Sequence, residues 1–144
     1  MIKVSALLNV EALNLYSALI FMELESKEAR ERILNRFREC PRIINIFITL
    51  AGYNLIAFTI AEDRETLESE STEKCSLRSE KGIRRSEFYP IGTIYYDPFL
   101  KVRETLVRRG MGAAPCQADC RSCERYEAKK CLGCPATKYY RGPL

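Results

Sequence analysis

Two runs of apolar, β-branched and aromatic residues, Ile43 to Leu50 and Tyr53 to Ile60, are separated only by Ala51-Gly52. That pattern reads as an antiparallel hairpin, and strands this continuously apolar need cover on both faces. The flanking sequence supplies cover for one of them. Upstream, Ile2 to Asn9 and Tyr16 to Leu24 carry strand-forming residues, the first read as an edge strand leading into the second. Ser26 is placed to cap a helix, Glu28 occupies its favourable first turn, and Ala29, Ile33, Leu34 and Phe37 share one face until Cys40-Pro41 stops it. Downstream, Asp63 caps a second helix expected to run to about Lys81, with a thin apolar face of Leu67 and Cys75. Gly82 is able to take the left-handed conformation that closes it. Ile83 to Tyr96 returns to strand character, with Pro90 and Gly92 marking a bend or bulge.

The order strand, helix, strand, strand, helix, strand is the split βαβ arrangement, so the expected class is α+β with a ferredoxin-like βαββαβ core. Two helices cover one face of its four-stranded antiparallel sheet. The other face is nearly as apolar, and its simplest cover is the same sheet of a second copy, giving a homodimer with barrel-like packing of the two sheets. From Asp97 the texture changes. Phe99, Val102, Leu106 and Val107 allow a short amphipathic helix to Arg109, and Gly110-Met111-Gly112 reads as a hinge. Residues 1–96 are therefore read as the ferredoxin-like domain, and residues 97–144 as a short helix with a cysteine-rich appendage.

That appendage holds Cys116, Cys120, Cys123, Cys131 and Cys134 within 19 positions, whereas Cys40 and Cys75 stand alone and read as structural. Two C-x2-C pairs close together point to a four-thiolate zinc site built from Cys120, Cys123, Cys131 and Cys134, with Cys116 spare. The Cys116, Cys120, Cys123 triad with Cys134-Pro135 is the alternative, holding a 4Fe–4S cluster; disulfides are a third possibility. A clamp of some kind is needed, because Leu132, Leu144, Tyr126, Tyr139 and Tyr140 are too few to bury a core alone. Residues 97–144 also carry 10 Lys/Arg against 5 Asp/Glu. Arg121, Arg125, Lys129 and Lys130 can serve as counter-charges to a thiolate centre, which accounts for the basic character without nucleic acid.

The chain has no His and no Trp, and 29% of its residues are charged, a bias found in proteins from hot environments. With no His, no paired pocket carboxylates and no phosphate-cradling glycine loop, an enzyme is disfavoured. No apolar run approaches the ~20 residues of a membrane span and no leader is visible, so a cytoplasmic protein without membrane contact is expected.

Residues 2–96 resemble the effector-binding (regulation of amino-acid metabolism) domain of the Lrp/AsnC family of transcription regulators. The segment VSALLNVEALNLYSALIFMELE resembles that family's G-x-x-A-x-x-(N/D)-x-x-x-L-G-Y strand entry. CPRIINIFITLAGYNLIAFTIAED resembles its C-P-x-V-x-x-x-x-x-V-T-G-x-Y-D-x-L-L hairpin, and SEKGIRRSEFYPI its final strand. The resemblance implies a domain that dimerises through its sheet, assembles into higher oligomers, and binds an amino acid or similar small-molecule effector near the hairpin turn. Ala51, Gly52, Tyr53 and Asn54 are the corresponding ligand-binding candidates. The family's G-x-Y-D is altered here, the glycine displaced by one residue and the carboxylate replaced by the Asn54 amide, which accepts more weakly and also donates. The family's winged helix-turn-helix is not among these residues, so DNA contact is expected only through a missing or separate one.

Overall fold

In the computed structural model, which describes residues 1–106 and 109–144, one four-stranded antiparallel sheet organises the chain. Its strands are β2 (Tyr16–Leu24), β3 (Ile43–Ile48), β4 (Leu55–Ala61) and β5 (Ile83–Pro90), in the order β3-β4-β2-β5. With α1 (Lys27–Arg36) and α2 (Arg64–Thr72) between them, this is the expected ferredoxin-like topology.

The alternation of β2 decides which face the helices take. Ala18, Ile20, Met22 and Leu24 are buried. Cross-strand register places Ala57 and Phe88 beside Ile20 on the same side, and these residues pack with Ile33 and Phe37 of the α1 region and with Leu77. Burying such side chains stabilises the layer by about 1.5–3 kcal/mol each. Capping follows sequence: Ser26 Oγ accepts the Ala29 N–H at 3.1 Å, and Asp63 Oδ1 accepts the Thr66 N–H at 2.7 Å.

Four local expectations are corrected. Only Leu8–Asn9 of the first segment is a strand (β1), and it pairs with Phe99–Leu100 (β6) rather than with the main sheet. That pairing, together with Pro98, also replaces most of the helix expected over 99–109. What remains is a 3-10 turn at Glu104–Leu106, and Val107 lies outside the described residues. The second helix stops at Thr72, not Lys81. Ser69 and Thr72 hydroxyls donate back to the carbonyls of Glu65 and Glu68, at 3.1 and 3.2 Å, a competition that weakens helical continuation. A 3-10 turn at Leu77–Ser79 follows, and Gly82 does adopt the left-handed conformation at φ +88°, with a side chain there meeting Ala29 Cβ at 2.6 Å. Finally, the hairpin connection spans residues 49–54 rather than two residues. The Thr49 hydroxyl donates to the Tyr53 carbonyl, and Asn54 is drawn aside to bond Leu24.

The C-terminal residues lie against the helical side. Ala114 and Cys116 are buried within the main core cluster. Arg42 Nη2 donates to the Gly133 carbonyl at 2.8 Å, and Arg36 Nε to that of Cys116 at 3.0 Å. A parallel bridge between Met111 and Thr137 ties the segment to itself, with the short helix α3 (Glu124–Glu127) lying between the two residues in the chain.

Candidate functional site

The sheet face turned away from the helices carries the first candidate site. Register aligns Leu19 with Phe58 and Tyr89, and Phe21 with Ile56 and Glu87; Phe47 stands next to Ile56. Phe47 and Tyr89 are about half exposed, at 49% and 51%. Phe21 is edge-on to Tyr53 at 5.7 Å and to Tyr89 at 5.4 Å. Within this aromatic surface lies a polar group. The Tyr53 hydroxyl donates to Glu87 Oε1 at 2.5 Å, the Tyr89 hydroxyl donates to its other oxygen, and Arg85 stacks on the Tyr53 ring at 4.4 Å. Arg85 Nε also reaches Glu23 Oε2 at 3.1 Å. The two phenol hydrogen bonds hold the Glu87 carboxyl below the usual carboxylate range, so it is an anion beside a cation.

The expected ligand-binding residues at the turn divide. Tyr53 joins this polar group. Asn54 uses both ends of its amide within the fold, accepting the Leu24 N–H at 2.9 Å and donating to the Leu24 carbonyl at 3.0 Å. Ala51 is exposed, as is Gly52, whose backbone passes beneath the Arg85 guanidinium.

The second candidate site is the seam between the helical side and the C-terminal residues. Six cysteines, Cys40, Cys75, Cys116, Cys120, Cys131 and Cys134, line one cavity there. Cys123 instead lines the adjoining groove, with its thiol 3.5 Å from Glu73 Oε2. All seven cysteines are free thiols. Burial pushes the Cys40 thiol up to about 12 and that of Cys134 up to about 11. Among the described residues no group of three or more Cys, Asp or Glu side chains is gathered tightly enough to hold an ion as it stands. The same seam contains a buried charge cluster: Arg42 pairs with Glu62 and lies 3.6 Å from Glu70 Oε1. Burial lifts Glu70 to about 8 in spite of Arg42. Two of the four basic residues expected as counter-charges have other partners: Arg125 binds Ser69, Glu65 and Glu68 on α2, and Arg121 binds Asp119.

No family model matches the chain, and no curated protein matches it. Solved structures do. The chain is similar to a transcriptional regulator from Neisseria meningitidis solved as an L-Met complex, with a TM-score of 0.58 at 19% identity over 67% of this chain and 63% of that one. It is similar to E. coli AsnC with a TM-score of 0.53 at 13% identity, over 67% and 62% of the two chains. These neighbours are Lrp/AsnC-family regulators. The fold is the ferredoxin-like fold of Lrp/AsnC regulators. At these identities the likeness to the Lrp/AsnC proteins is one of fold, and this chain spans less than two thirds of the length of either. Among the described residues no helix is long and apolar enough to cross a membrane.

Sequence reading did not single out Glu23, Arg85, Glu87 and Tyr89 of the Lrp/AsnC-like open face. The i, i+2, i+4 spacing of Arg85, Glu87 and Tyr89 on one strand was the available signal, since alternate residues share a face. Nor did it find Arg42, Glu62 and Glu70, which come together only through the tertiary fold.

Proposed function

We propose that this chain is a non-enzymatic effector-sensing and assembly module of an Lrp/AsnC-type transcription regulator, working as a homodimer or higher oligomer and taking an amino acid or similar zwitterion. The observation that carries this reading is the juxtaposition of Arg85 with Glu23 and Glu87 inside an aromatic, helix-free sheet face. A guanidinium matches an effector carboxylate and a neighbouring carboxylate its ammonium, while a second sheet over the face would exclude water and strengthen both contacts. That a neighbour of the same fold was solved with L-Met supports the effector class. In this reading DNA contact is made only through a helix-turn-helix that is either missing from these residues or carried by a separate chain.

The test is a thermal-shift and calorimetric screen of amino acids, starting with L-Met. Binding to the folded state alone raises stability by about 2.7 kcal/mol at a hundredfold excess over Kd. The expected result is a concentration-dependent shift with at least one amino acid, lost in Arg85→Ala. No shift from any of them at millimolar concentration overturns the reading.

The thiol-lined seam favours a second reading, in which cysteines of the C-terminal segment hold zinc or a 4Fe–4S cluster and report metal or redox state, with the ferredoxin-like part as platform. Metal analysis of protein purified without oxygen, together with a free-thiol count, decides it. A metal-free chain removes this reading.

A further inference from the structure

Spacing alone confines the metal-binding thiols to residues 116–134. The folded arrangement does not. Cys75 lies on the connection between α2 and β5, just after the helix end, and stands among thiols of the C-terminal segment. The cavity of about 60 Å³ has Cys75 in its wall with Cys116, Cys120, Cys131 and Cys134. The adjoining groove, on the other side of the same thiols, is lined by Cys75, Cys120, Cys131 and Cys123. Cys75, Cys120 and Cys131 line both spaces together with Ser69, so thiols from both parts of the chain meet in the wall between them.

We infer that Cys75 is a metal ligand, acting with Cys120 and Cys131 and a fourth thiolate from Cys116 or Cys134, so that one thiophilic metal centre, zinc or iron–sulfur, is held across the seam. This inference rests on the second reading given above. One further observation fits a thiolate-rich centre. Arg42 lines the same cavity and offers a positive charge toward a four-thiolate centre. Around a single zinc the sulfurs lie about 2.3 Å from the metal, so the thiols must close inward. A change of cysteine χ1 rotamer, which carries the sulfur by about 3 Å, is the movement available for that closure. Each thiol gives up its proton to solvent on ligation.

The location has a mechanical consequence. Leu77, two residues beyond Cys75, is buried in the main core, and β5 begins at Ile83 and carries Arg85, Glu87 and Tyr89. Metal held at Cys75 braces the connection that leads into the strand of the open-face polar group.

The test compares the wild-type chain with Cys75→Ala and Cys75→Ser, all purified without oxygen. Zinc, iron and acid-labile sulfide are measured per chain, which separates a zinc site from a cluster. Each chain is then loaded with Co²⁺, whose thiolate charge-transfer absorption scales with the number of sulfur ligands. The expected result is near-stoichiometric metal in wild type, a loss of at least tenfold in affinity in both variants, and about one quarter less charge-transfer intensity in Cys75→Ser. Because the variants can misfold, wild type is also alkylated with N-ethylmaleimide with and without Zn²⁺ and mapped by peptide mass spectrometry. Metal should slow labelling of Cys75, Cys120 and Cys131 together. Full metal content in folded Cys75 variants, or Cys75 labelling at the same rate with and without Zn²⁺, overturns the inference while leaving a metal site in the C-terminal segment. Absence of metal and of Zn²⁺ or Co²⁺ binding in wild type removes the underlying reading instead, and the inference with it.

Discussion

Replacing Arg42 by Met is expected to be among the most destabilising single changes in this chain. The Arg42 side chain is 8% exposed and its partner Glu62 2%, and Glu70 also faces it with 11% exposure. Met keeps much of the apolar stem but removes the cation, leaving the buried Glu62 carboxylate without its counter-charge beside Glu70, which burial keeps largely protonated. Breaking a buried pair in this way costs about 3–5 kcal/mol. The lost hydrogen bond to the Gly133 carbonyl also loosens the attachment of the C-terminal residues, at about 1–3 kcal/mol, though terms in one network do not add fully. A net loss of about 4 kcal/mol is a large part of the 5–15 kcal/mol available to a typical domain. Urea unfolding followed by circular dichroism reads it as a fall of about 2 M in midpoint for a slope of roughly 2 kcal/mol/M. A cycle with Glu62→Gln isolates the pair. A total loss below about 1 kcal/mol, with no coupling in the cycle, would refute the idea that this cluster joins the sheet to the C-terminal segment.

Three further outcomes follow from particular contacts. Because burial lifts Glu70 from 4.5 to about 8, the folded chain holds a proton in that window that the unfolded chain has lost. Stability therefore falls as pH rises from about 4.5 to 8, and Glu70→Gln should flatten the dependence of Tm on pH there; an unchanged slope contradicts it. Asn54→Asp restores the carboxylate of the family pattern but removes the donor to the Leu24 carbonyl at 3.0 Å and sets a charge against that oxygen, costing about 1–3 kcal/mol in chemical denaturation; a neutral or stabilising result sinks the bidentate role. Gly82→Ala, at φ +88° and 2.6 Å from Ala29 Cβ, should cost about 1–3 kcal/mol, and wild-type stability would contradict the close approach of α1.

How much of this could be read from residues alone differs between the two parts. The sheet and both helices were legible because strand periodicity and the Ser26 and Asp63 caps are local signals that the tertiary fold reinforces. The helix expected over 99–109 failed because Phe99 and Leu100 are used by a partner strand about ninety residues earlier, which no local window contains. The second helix was read too long because a Ser- and Thr-rich end competes with its own backbone. At the open face, Tyr53 was visible from the family resemblance, but Glu23 and Glu87 required cross-strand register to be brought to the same ring system. Cys75 reads as structural because it stands alone in the sequence on the face of the expected second helix; its place beside the other thiols comes only from the packing of the C-terminal residues against the α2–β5 connection.

The most direct test of a sheet-to-sheet regulatory module is sedimentation equilibrium of the full chain at micromolar concentration, run beside Phe58→Glu. Phe58 lies on the open face opposite Leu19, away from the core that supports the fold, and a buried unpaired carboxylate there would oppose association strongly. A dimer or larger assembly for wild type, with Phe58→Glu folded and monomeric, is the expected result. A wild-type chain that remains monomeric throughout that range contradicts it.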